Sequence, residues 1–292
     1  SGQTNGRYYQ SYSVSYMNPW FGGKRPNTFS LSAFFSKQTD VSDNYYNSAY
    51  YNNYFNSYLY GMGTNSYNYY ENYYDPNKYV MLFGMSLGWG KRLRWPDDRF
   101  TLSAELSYTR YMLKNWQYFL MSNGNCNNIN LGLNLSRNST DNPIYPRSGS
   151  DFLLSISLTP PYSLFSDKDY ANLATNINSP TYNKEMQEKY RWIEYHKWKF
   201  KSRTYTALSG HNKCFVLSTR VEFGILGHYN KNKRSPFETF YVGGDGTSGY
   251  STSYATETIG MRGYDNGSLT PRGEAGYAYD RFSVELRYPF IL

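Results

Sequence analysis

Long apolar runs are missing from this sequence. No stretch approaches the ~20 consecutive apolar residues that a membrane-spanning helix needs, and the mean hydropathy is −0.74, so a helical membrane protein is excluded. Cysteine is nearly absent. The two present, Cys126 and Cys214, are far apart with no CxxC spacing, and read as unpaired wall residues, a disulfide being the alternative. The three histidines, His196, His211 and His228, lie in different segments at no ligand-like spacing, which argues against a zinc site or a catalytic triad. Serines are plentiful, but none sits in a GxSxG elbow. No Walker lysine follows Gly243-Gly244, so Gly243-Gly244-Asp245-Gly246 is not a phosphate cradle. The acids Asp97-Asp98 fall in a turn beside arginine and read as interfacial charges rather than a general acid and base. Nothing argues for an enzyme, and no motif calls for a cofactor or a metal. The polar opening SGQTNGRYY has no apolar h-region; a secreted mature fragment and a cytosolic protein would both look like this.

What the chain has instead is tyrosine. Only 39% of it is hydrophobic, yet 20% is aromatic, with 35 Tyr against 17 Phe and 6 Trp. A soluble core built from so many phenols would need a partner for most hydroxyls, since each buried unpaired hydroxyl costs on the order of 1–3 kcal/mol. A surface that is half wet removes that difficulty, because tyrosine suits places where one end of the ring meets apolar material and the other meets water, as at the rims of a bilayer. A transmembrane β-barrel has such a surface. Its strands alternate lipid-facing and lumen-facing residues and are never hydrophobic on average. The net charge of +8 invites a nucleic-acid reading, but Lys and Arg are scattered among acids rather than striped, which fits a solvated lumen and loop surface and no nucleic-acid partner.

Period-two alternation, the mark of a strand between two environments, recurs nine times. Tyr12, Val14 and Tyr16 oppose serines. Phe29, Leu31, Ala33 and Phe35 follow. In the third strand Met81, Phe83, Met85, Leu87 and Trp89 oppose Gly84, Ser86, Gly88 and Gly90, and glycines on one face leave room for something to pack there. The fourth carries Phe100 to Tyr108. The fifth sets Ile129, Leu131, Leu133 and Leu135 against Asn130, Gly132, Asn134 and Ser136. The sixth carries Phe152 to Leu158 and ends at Pro160-Pro161. The seventh, 195–206, places Lys197, Lys199, Lys201 and Arg203 on one face. Against lipid these would cost about 2–4 kcal/mol each at mid-bilayer, so that face is the wet one. The eighth carries Phe215 to Phe223, with Arg220 and Glu222 inward, and the ninth Phe282 to Tyr288, with Glu285 inward.

Between these lie a Tyr/Asn-rich segment, 41–78, read as a long exposed loop or as prion-like disorder. A second long loop contains a short helix near 184–190, and a third spans 228–280. Long and short links alternate, as in antiparallel strands crossing one membrane. The expected fold is therefore all-β, an antiparallel transmembrane barrel. Nine strands leave two open edges, which lipid does not tolerate, so the chain is expected to be part of a larger barrel.

The 228–280 loop holds the most specific residues, Phe240-Tyr241-Val242-Gly243-Gly244 and then Met261-Arg262-Gly263-Tyr264. The tetrad resembles the (V/M)RG(F/Y) motif of the BamA insertase family and its two-partner secretion relatives. The lead-in is similar to that family's FYxGG, and Val284 to Phe290 to its next strand. Tyr145-Pro146 with Gly149 is similar to its YFPxxG turn, and Asn18-Pro19-Trp20-Phe21 to its NPYF-type turn. One departure is the segment 247–260, inserted between the glycines and the tetrad.

The resemblance implies that the nine strands are the family's fourth to twelfth of sixteen, with the POTRA repeats, first strands and last strands outside this sequence. It also implies that the loop folds into the lumen and that Arg262 pairs there with wall carboxylates, for which Glu222 and Glu285 are the local candidates. The implied function is to fold and insert client β-barrels into the Gram-negative outer membrane without ATP. Nascent barrel clients, outer-membrane lipoproteins and the lipid bilayer would be its partners. The rivals are a two-partner secretion or TamA-like translocation pore, a passive porin-type channel, and a Tyr-rich nucleic-acid or adhesion module that would be soluble without detergent.

Overall fold

A computed structural model describes residues 1–5, 8–23, 27–41, 74–116, 121–210, 214–244, 257–265, 267–270 and 276–289. Among these residues twelve strands and one α-helix follow in order: β1 (Gly2–Asn5), β2 (Tyr9–Asn18), β3 (Asn27–Val41), β4 (Tyr74–Arg92), β5 (Phe100–Lys114), β6 (Gly124–Asn138), β7 (Gly149–Leu158), α1 (Tyr182–Tyr190), β8 (His196–Ala207), β9 (Val216–Gly227), β10 (Phe240–Val242), β11 (Glu257–Ile259) and β12 (Ala278–Arg287). Ten of the strands form one antiparallel sheet in the order β1 to β9 and then β12. The nine strands expected from alternation are β2 to β9 and β12. The additional edge strand, β1, pairs with β2. β3 and β4 extend into the segment expected to be loop, as far as Val41 and from Tyr74; the Tyr/Asn reading of 42–73 lies outside the described residues.

The pairing register shows why the sheet suits a bilayer. Tyr16, Leu31, Leu87, Leu106, Leu131 and Leu158 are successive partners across β2 to β7, an unbroken apolar row on the outer face. One residue along, Ser15, Ser32, Ser86, Ser107 and Asn130 make the matching row on the inner face, where the Ser32 and Ser86 hydroxyls bond at 2.7 Å. Because side chains alternate at each residue, a single register satisfies both environments at once. Val14 on the outer face is 75% exposed, and Tyr12, Met85, Leu106, Phe282 and Leu286 are also exposed. So large an uncovered apolar surface belongs against lipid.

The inner face differs from expectation at β4. A Cβ at Gly84 would strike the ring of Phe34, and one at Gly88 the hydroxyl of Ser30. The room left by these glycines is filled by the neighbouring strand β3, not by a distant segment.

Buried hydrophobic residues gather where the strands meet the long loops. Val80, Tyr111, Leu113, Cys126 and Leu226, at those strand ends, join Met121, Met186 of α1, Ile193, Tyr195, Phe237, Phe240 and Ile259 in one cluster. Parts of the long loops are therefore folded over the inner face rather than simply exposed. The two cysteines are free and buried. Cys126 belongs to that cluster, whereas Cys214 lies beside a short link with its sulfur 3.7 Å from Arg147 Nη2.

Candidate functional site

The segment between β9 and β12 lies along the seam these strands share, and their register measures its depth. Gly224 pairs with Tyr279, Glu222 with Arg281, and Ser218 with Glu285, in order away from the long-loop end. At the first level, Phe240 bonds through its N–H to Gly276 O at 2.8 Å and meets the Tyr279 ring edge-on at 4.7 Å. A Cβ on Gly224 would come within 2.9 Å of Phe240 Cζ, so this wall glycine admits the base of the loop. At the second level Arg281 donates to Gly260 O. At the third, Arg262 comes within electrostatic reach of Glu285.

The glycine lead-in and the tetrad, far apart in sequence, form one backbone clasp. The Gly243 N–H donates to Ile259 O at 3.0 Å, the Gly244 N–H to Tyr264 O at 3.1 Å, and the Met261 N–H to Gly244 O at 2.6 Å. β10 and β11 pair in parallel just before the clasp. Gly243 is at φ +125°, a region closed to most side chains, and its missing Cβ would sit 2.6 Å from Asp265 O. The lead-in is glycine because two backbones approach here. Gly263, at φ +83°, turns the tetrad so that Arg262 and Tyr264 remain exposed.

A test follows from this geometry. Arg262 is exposed, yet its peptide lies between bonded Met261 and Tyr264, so trypsin should cut there slowly. Gly243→Ala, costing about 1–3 kcal/mol of local strain, is expected to speed that cleavage severalfold. An unchanged rate would mean the clasp does not hold the tip.

The charges that seat the loop run opposite to expectation. Arg262 makes no hydrogen bond or ion pair with either candidate carboxylate among the described residues. Glu222, with its side chain 1% exposed, is held by Arg220 Nε at 2.7 Å and by Arg281. Glu285 is paired with Arg287 at 2.6 Å. Both acids face inward as expected, but wall arginines occupy them.

The loop instead supplies carboxylates to the wall. Lys197 Nζ on β8, 3% exposed, lies 3.0 Å from Glu238 Oε2 and 2.8 Å from Glu257 Oε2, with the Phe240 ring 4.7 Å away. Lys199 Nζ reaches both Glu257 oxygens at 3.1 Å. Burial alone would raise the Glu257 carboxyl pKa, but the two ammonium groups outweigh it and hold it below the usual carboxylate range. The sequence carried the signal in two halves: a strand face with four cations, and a segment, 228–260, whose acids are Glu238, Asp245 and Glu257.

The other residues singled out from sequence lie elsewhere. Asp97 pairs with Arg137 at 2.8 Å and Asp98 with Arg92 at 3.2 Å, so each turn acid has its own arginine. The imidazole of His196 lies over Gly227, and His211 lies outside the described residues. Among the described residues no group of His, Cys, Asp and Glu is disposed to hold a metal.

A family model for the Omp85 superfamily domain matches residues 1–292. No curated protein matches the chain. Among solved structures, the crystal structure of BamA from Haemophilus ducreyi lacking POTRA domains 1–3 aligns at a TM-score of 0.56 and 16% identity. The alignment covers 98% of this chain and 46% of that one, so the chain spans less than half the length of that structure and shares its barrel fold.

Proposed function

The chain belongs to the Omp85 superfamily, and from that premise we propose that it is the barrel portion of an outer-membrane assembly factor. It would fold client β-barrels and insert them into the Gram-negative outer membrane, together with outer-membrane lipoproteins. No nucleotide is required. The drive is the client's own burial of apolar strand faces in lipid, and the barrel's part is to hold a nascent strand while it pairs.

The observation that carries this reading is the clasped tip. The tetrad's backbone is fixed by Gly244, with Gly243 tied to Ile259 beside it, while the guanidinium of Arg262 and the ring of Tyr264 stay exposed and make no hydrogen bond or ion pair among the described residues. A group fixed in place but unbonded is suited to meeting a transient partner, and a guanidinium offers five donors to strand carbonyls or carboxylates.

Depletion and complementation test it. Arg262→Ala should change the protein's own stability by no more than about 0.5 kcal/mol, as for an exposed, unbonded side chain, yet lower the levels of client barrels. Normal client levels in cells dependent on the variant would sink the role. A two-partner secretion or TamA-like pore would instead lose one secreted protein on depletion while most barrels assemble normally. A porin-type channel would show persistent ion conductance with client assembly untouched.

A further inference from the structure

The outer face beyond β7 and β8 carries a feature that neither the family nor the luminal loop explains. Leu158 and His196 are the last outward pair of β7 and β8. Above them Thr159 continues the pairing, its N–H bonded to Tyr195 O at 3.1 Å. Tyr195 and Ile193 belong to the inner cluster, so alternation puts Glu194 and Trp192 on the outer side. The bridge between Trp192 and Asn127 agrees, since Asn127 lies between inward Cys126 and Asn128.

The short 3-10 turn Tyr162–Phe165 is folded back over this outer side. The Tyr162 ring packs on Trp192 at 5.1 Å, and the Ser163 N–H donates to Glu194 Oε2 at 2.7 Å. Lys233 Nζ lies 3.4 Å from the same Glu194 oxygen and 5.0 Å from the Tyr170 ring. Ser163, Glu194 and Lys233 are all buried, so the turn is held by a covered ionic group. Yet the residues it displays, Leu164 and Phe165, are 66% and 85% exposed.

A turn held this firmly, displaying two large apolar side chains in water, needs an occupant. The surface it continues is the lipid-facing wall of β7. Tyr162 and Trp192 beneath it are the residue types that sit where acyl chains give way to headgroups.

We propose that the Tyr162–Phe165 turn is a membrane-interface wedge, with Leu164 and Phe165 inserted at the headgroup boundary of the leaflet on the long-loop side. The wedge rests on the barrel fold alone and is independent of what the protein inserts or transports.

The test uses the protein reconstituted into phosphatidylcholine vesicles. Phe165→Cys carries an NBD label, the native cysteines being buried, with folding checked by heat-modifiable gel mobility. Leu164→Cys repeats the measurement independently. Lipids bearing a doxyl quencher high on the acyl chain are expected to quench both labels several-fold, while aqueous iodide quenches them much less than it does free NBD-cysteine. Iodide quenching equal to that of free dye, without doxyl quenching, would place the turn in water and overturn the proposal. Protection from both quenchers would also overturn it, because protein rather than lipid would then cover the site.

Discussion

Replacing Glu222 with alanine is expected to be among the most damaging single changes on the inner face, costing about 3–5 kcal/mol, as when one partner of a buried ionic group is removed. Its carboxylate lies between the guanidiniums of Arg220 and Arg281, and the alanine variant would leave both facing each other in a confined space. Arg281 also donates to Gly260 O, so the loss would reach the loop. Glu222→Gln should fall between, keeping an acceptor but no charge. Replacing Glu222 and Arg281 together with leucines should cost less than Glu222→Ala alone, since the more buried guanidinium goes with its carboxylate and the one left, Arg220, is 29% exposed. Urea-unfolding midpoints of the reconstituted variants measure all three. An alanine variant as stable as the parent would mean that the two arginines find other counterions.

The second large effect is expected at Lys197. Lys197→Met leaves Glu257 with Lys199 and takes from Glu238 the lysine it pairs with. Both carboxylates keep some contact with water, 34% and 24% exposed, so the cost is set at about 1–3 kcal/mol rather than the full buried-pair value. The damage should be local: faster hydrogen exchange in β10 and β11, with the exchange of β2 to β7 unchanged.

The pH dependence has a definite sign. A carboxyl whose pKa is lower in the folded than in the unfolded state contributes stability above its unfolded value, and that contribution is lost as pH falls through the folded value. The seat of Glu257 should thus hold at neutral pH and fail only below the usual carboxylate range. In Lys197→Met the failure should move up toward that range. In the Lys197→Met background, where no second ammonium faces position 257, the charge swap Lys199→Glu with Glu257→Lys should restore exchange protection that either change alone removes. If the swap rescues nothing, the loop is seated by its apolar base at Phe240 and not by this pair.

The strands were legible because the two sides of the wall differ so sharply. Leu131 beside Asn130 and Gly132, or Val14 between serines, admits one assignment. β1 was not legible because Gly2–Asn5 has no apolar residue to alternate. β10 and β11 were hidden by their shortness, with Phe240–Val242 finding its partner at the far end of the inserted segment. In the loop, the glycines and the tetrad were readable by motif, and their mutual contact explains the motif physically: Gly244 is the backbone against which Met261 and Tyr264 bond, and Gly243 bonds to Ile259 just before them. The pairing of the wall lysines with the loop acids was not legible for a plain reason. Alternation shows that Lys197 and Lys199 face inward but not what they meet, because a counterion on a distant loop leaves no periodicity. The resemblance directed attention to Arg262 and the wall acids, while the bonds formed between the wall cations and the loop acids.

The four cations of β8 also act as a frame-keeper during assembly. Sliding β8 by one residue against β7 or β9 would turn Lys197, Lys199, Lys201 and Arg203 onto acyl chains, at about 2–4 kcal/mol each near mid-bilayer. No slip of β2 meets a comparable barrier, since its inner serines are small and neutral. β8 therefore rejects every odd-residue slip, and through its pairing with β7 and β9 it holds the facing of both.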